Sequence, residues 1–243
     1  MKIDRNEMKQ VAAAQAGQPR HDMYSGIHKA LRALMADTLL AVGRMDVNDE
    51  QDLAHTITRV RELLQFCRGH LQHENEFVHA AIEGRAPGAS SSIAGEHAGH
   101  EQHIAALEAA ASALCGMAMA DRAAAGLELY RALALFVAEN FQHMHVEETA
   151  HNAVLWARYT DAELAGIHGA LVASIPPAEM MLTARWLVPF MNPMERTALL
   201  GDMRANAPAP AFAAVIDTVR PHLSDREWVK LSNSLDLPPA AAW

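Results

Sequence analysis

Residues 50–83 read EQDLAHTITRVRELLQFCRGHLQHENEFVHAAIE. Leu53, Ile57, Val60, Leu63, Leu64, Phe66, Phe77 and Val78 recur at the spacing of one helix face, and the pattern stops at the breaker-rich run Gly84-Arg85-Ala86-Pro87-Gly88. Two polar residues fall on that apolar face. His70 lies seven residues from both Leu63 and Phe77, and Glu74 lies seven from Cys67. A carboxylate facing a helical core is costly unless a cation or hydrogen-bond donors compensate it, so this stretch predicts a long helix carrying an inward His-x-x-x-Glu pair.

Three further helical patterns flank it. The first spans 22–44, with Tyr24, Ile27, Leu31, Leu34, Met35 and Leu39 on one stripe. The third spans 91–114, with Ile93, Ile104 and Leu107. The fourth spans 122–159, after Asp121 as a candidate N-cap, with Leu129, Leu133, Phe136, Val137, Val154 and Leu155. Short connections between four such helices predict an all-α, up-down-up-down four-helix bundle over 20–160. Residues 1–19 read as a tail or short leading helix. Residues 161–243 read as an extension of short helices, cut by prolines and started by caps at Thr160 to Glu163, Asn192-Pro193 and Ser224 to Glu227.

Composition agrees with packed helices, being 51% apolar and only 5% aromatic. A net charge of −9 argues against a nucleic-acid footprint, which needs a basic face. No apolar run reaches the roughly 20 residues of a membrane span, and residues 1–21 lack a signal-peptide core, so a cytoplasmic location is expected. Cys67 and Cys115 cannot form a disulfide framework, and both read as small buried hydrophobes.

Twelve of the 14 histidines lie between His21 and His151. The fourth helix repeats the pair of the second as His143-Met144-His145-Val146-Glu147, where His143 stacks on Phe136 and Glu147 on Leu133 and Val154. The first helix offers His28 on its apolar stripe. The third offers Glu96-His97-Ala98-Gly99-His100-Glu101, with His97 and His100 in line with Ile93 and Ile104. Two inward glutamates and several inward histidines imply a bound metal. His73, His79, His103, His145 and His151 read as surface groups or supports of the ligands, with His79 on the polar stripe of Gln65 and Gln72. Glu76-Phe77-Val78-His79 and Glu148-Thr149-Ala150-His151 also match the Glu-x-x-His of ferritin-like di-iron proteins, but the first helix lacks the glutamate such a site needs.

With these residues in place, 20–160 resembles the hemerythrin and HHE cation-binding family, which sets a lone His on the first helix, His-x-x-x-Glu on the second, His on the third and His-x-x-x-Glu or a close variant on the fourth. The resemblance implies His28, His70, Glu74, His97, His143 and Glu147 as ligands of two non-haem iron ions, with Glu74 and Glu147 bridging them. Many members carry His-x-x-x-His on the third helix, whereas Glu101 follows His97 by four, which makes His100 and Glu101 further candidates. Imidazole and carboxylate donors suit iron or manganese, and zinc accepts the same set. The implied function is binding or sensing O₂, peroxide or nitric oxide. The alternatives are a di-iron redox enzyme acting on peroxide or nitric oxide, or an iron-storage or iron-dependent interaction module, with the C-terminal helices as a surface for a protein partner or a second copy.

Overall fold

The computed structural model of the chain describes residues 20–237. The expected tail or leading helix at 1–19 lies outside them. Among the described residues there is no strand, and no helix is long and apolar enough to cross a membrane. The fold is all-α.

Helix α1 is Ser25–Arg44, ending before the Asp46–Asp49 turn. Helix α2, Glu50–His73, starts at Asp49, whose carboxylate accepts the N–H groups of Gln51 and Asp52. It runs without a break through a π-helical turn, Glu74–His79, into α3, Ala80–Arg85. Helix α4 is Ser91–Cys115 and α5 is Met119–Val146. A second π-helical turn, Glu147–His151, joins α5 to α6, Asn152–Arg158, and α7 follows at Asp161–Ser174. The fourth pattern thus begins earlier than the sequence suggested. Asp121 sits inside the first turn of α5 and Ala118 is the N-cap.

Helix α2 packs on α4, and α4 on α5. The buried stripe of α4 is Ile93, His97, His100, Ile104, Leu107, Ala111 and Leu114, a run with three- and four-residue steps. A Cβ added at Gly43 of α1 would lie 2.9 Å from the Tyr130 ring of α5, so the absent side chain lets these helices approach closely. Cys67 is buried, and burial pushes its thiol up to about 12. Cys115 is exposed at the end of α4, contrary to the expectation of two buried thiols, because the buried stripe of the last turn runs through Ala111 and Leu114 and leaves Cys115 to one side.

The chain divides into two compact units; among the described residues one comprises 20–25 and 34–174, and the other comprises 175–237 together with 26–33 of α1. The C-terminal unit contains α8 (Pro177–Leu187), α9 (Pro193–Asn206), α10 (Ala209–Val219) and α11 (Asp225–Ser234). Its core gathers Val188, Leu200, Val215, Val219, Leu223, Trp228 and Leu231. The capping boxes at Asn192/Glu195 and Ser224/Glu227 form, with Pro193 at the first helical position. Arg196 is buried here and donates to the carbonyls of Val188, Pro189 and Met191 while pairing with Glu227.

Candidate metal centre

Both His-x-x-x-Glu pairs stand where an α-helix turns into a π-helix. Glu74 and Glu147 are the first residues of the two π turns, and their N–H groups are each shared between two carbonyls, His70 with Leu71 and His143 with Met144. Single π turns inside α-helices concentrate at functional sites, because the extra residue re-aims the side chains that follow. Here the same device occurs on two helices at equivalent places.

The structure places Glu74, His97, His143 and Glu147 together, all buried, with one potential ligand atom from each lying within 4.8 Å of the others. His97 Nε2 is 3.0 Å from His143 Nε2, 3.6 Å from Glu74 Oε2 and 3.7 Å from Glu147 Oε1; His143 Nε2 is 3.2 Å from Glu147 Oε1. His28, His70, Glu74 and Glu147 form a second such group. His70 Nε2 lies 3.1 Å from Glu74 Oε1. Glu74 and Glu147 therefore belong to both.

The other ring nitrogens identify what the imidazoles are prepared for. His97 Nδ1 is 2.8 Å from Asn75 Oδ1, and His143 Nδ1 is 2.9 Å from Glu96 Oε2. Each of those oxygens accepts an Nδ1–H, so that Nε2 is the nitrogen each ring turns to the common centre and, in the neutral ring, the one that carries the lone pair, the arrangement of metal-ligating histidines.

The electrostatics match a cradle for positive charge. Burial and the neighbouring Glu74 act to raise the Glu147 carboxyl, yet hydrogen bonds from His143 and His97 hold it below the ordinary value. Burial pulls His143 down, but Glu147 and Glu96 more than offset this and bring it to about 9. Tyr24 is raised well above a normal phenol by burial and by the charges of Glu74 and Glu147.

On the third helix of the bundle, His100 is buried with its ring 4.6 Å from that of His143, but it joins neither group. Burial and the proximity of His143 push it down to about 4, so it stays neutral. Glu101 lies off the buried stripe of α4, is exposed and faces Arg68 at 3.6 Å. That ion pair at the surface accounts for its charge without a metal. Glu76 is exposed as well, which removes a residue the ferritin-like arrangement requires. His103 and His145 are exposed, His103 facing Glu139 at 3.0 Å.

Two histidines behave differently from the sequence reading. His79 is not on a polar stripe but buried, and so is His151. In an unbroken α-helix residue 79 would sit roughly 140° round from Glu74. The π turn closes its ladder over five residues instead of four, so His79 returns to the face of Glu74. Spacing alone held no signal for this.

A family model, the hemerythrin HHE cation-binding domain, matches residues 21–151. The chain belongs to that family. No curated protein and no solved structure matches it. The matched span of this HHE domain runs from the residue before Asp22 to His151 and so includes α1, both π turns and every residue of the two groups. Cation binding is thus the shared property of the family and of the buried His/Glu cluster.

Proposed function

We propose that the HHE domain holds two non-haem iron ions, one taken by His28 and His70 and the other by His97 and His143, with Glu74 and Glu147 reaching both, and that it binds or senses O₂ or a related small oxidant such as peroxide or nitric oxide. The observation that carries this reading is the convergence of the His97 and His143 Nε2 atoms on two buried carboxylates while Asn75 and Glu96 occupy both Nδ1 atoms. Mixed imidazole and carboxylate donors favour iron or manganese over thiolate-loving metals. Iron, when bound, supplies the redox-active site at which a small oxidant binds.

The protein's own part is to hold, orient and exclude. Two carboxylates offset part of the charge of two divalent ions, and Asn75 and Glu96 keep two imidazoles in the ligating tautomer. Tyr24, which meets His151, and Phe136, whose ring meets that of His100, are buried and help to keep water from the cluster. His143, held near 9 without metal, must release its proton for Nε2 to coordinate, so loading is accompanied by proton release at neutral pH.

An optical spectrum of the iron-loaded protein in air, after anaerobic reduction and after re-exposure separates the readings. Reversible, oxidant-dependent bands without steady consumption support binding or sensing. Sustained peroxide or nitric-oxide consumption would replace it with a redox enzyme, and bands that ignore the oxidant would defeat both.

A further inference from the structure

Beyond the two-ion cradle, the bundle unit contains a third set of convergent donors. His79, Glu147 and His151 are all buried and offer one ligand atom each within 4.8 Å of the others. His79 is 5% exposed, and neither of its ring nitrogens has a hydrogen-bond partner. A buried imidazole without any partner is uncommon, because it has lost water and gained nothing in return. Its ring stacks on His97 with centroids 4.8 Å apart and meets His151 edge-on at 5.3 Å. His151 is braced from behind, with Nδ1 3.1 Å from the hydroxyl of Tyr24.

We propose that His79, His151 and Glu147 form a third divalent-cation position, next to the pair and sharing Glu147 with it. Two imidazoles and one carboxylate are the donor set of open sites for borderline divalent ions such as Fe²⁺, Co²⁺ and Zn²⁺. An ion on His151 Nε2 leaves Nδ1 protonated, and Tyr24 Oη then accepts that hydrogen, as in metal sites where an oxygen behind the ring fixes the tautomer. The same ion gives His79 the partner it otherwise lacks. Both histidines reach this place because each lies at the end of a π turn that begins with a glutamate of the cradle, so the two turns build the third position together. The position does not require that the pair be iron.

The test is equilibrium dialysis of chelator-stripped full-length protein against Co²⁺, with bound metal counted by elemental analysis, for wild type, H79A and H151A. Three equivalents in wild type and two in each variant are expected. Wild type and both variants saturating at two would overturn the third position while leaving the pair intact. A fall from two to one in the variants would overturn it too, placing His79 and His151 among the ligands of the pair; no binding in wild type would remove the pair as well. Should a variant misfold by circular dichroism, anomalous scattering at the cobalt edge from wild-type crystals decides, since density between His79 and His151 is required.

Discussion

Replacing Glu147 by Gln separates a metal cradle from a hydrogen-bonded cluster of core histidines. Glu147 contributes to all three groups of converging donors, Glu74 to two, and His70, His97 and His143 to one each. The substitution keeps the shape of the side chain and removes its charge, so its effect reads the need for a carboxylate rather than a cavity. A ligand that binds only the folded state stabilises it by about 4.1 kcal/mol when present at 1,000 times its Kd. For a chain of this size that corresponds to a rise of roughly 8–16 °C for one ion and about twice that for two. Differential scanning calorimetry of iron-loaded and chelator-stripped protein should show such a gap for wild type. In E147Q the gap should shrink to below about 4 °C, the equivalent of roughly 1 kcal/mol. E74Q should fall between them. A gap in E147Q as large as that in wild type would refute the cradle, as would identical transitions for loaded and stripped wild type.

Replacing His100 by Leu should leave bound iron per chain unchanged by elemental analysis, because His100 is in no donor group and its neutral ring packs between the rings of Phe136 and His143; a loss of one ion would make it a ligand. Glu83 accepts from the N–H of Gly88 and from the N–H and hydroxyl of Ser90, which pulls its carboxyl to about 2 from 4.5. A carboxyl lowered in the folded state stabilises above its unfolded value and loses that contribution as pH falls through the folded one. E83Q should therefore melt below wild type at pH 7, with the difference closing between pH 4.5 and 2; a gap that persists at pH 2 would count against the assignment. In the C-terminal unit, R196A should cost about 3 kcal/mol in urea denaturation, because it strands the carbonyls of Val188, Pro189 and Met191 and leaves Glu227 without its partner. An unchanged midpoint would show that water satisfies those groups equally well.

The helices and the inward direction of the ligand candidates were legible because burial writes itself into three- and four-residue steps. His97 and His100 on the stripe of Ile93 and Ile104 are the clearest case. The groups that fix the rings were not legible. Asn75 and Glu96 are adjacent in sequence to ligand candidates of their own helices, yet Asn75 serves His97 and Glu96 serves His143, both across to a neighbouring helix. Such pairings depend on how helices face one another, which periodicity does not encode. The π turns were hidden for a related reason. Nothing in Glu74-Asn75-Glu76-Phe77-Val78-His79 breaks an α-helical pattern, and only the shift of the ladder brings His79 inward. Conversely, Cys115 looked like a core residue because its neighbours are apolar, but in an Ala-rich turn the apolar pattern does not mark one face, and the buried one carries Ala111 and Leu114 instead.

The measurement that bears most directly on the account is anomalous diffraction at the iron edge from crystals of protein prepared in iron-replete cells. Iron peaks are expected at both positions of the pair, one within bonding distance of His97 Nε2 and His143 Nε2 and the other of His28 and His70, each next to Glu74 and Glu147. Crystals with no anomalous density among these six residues would contradict it.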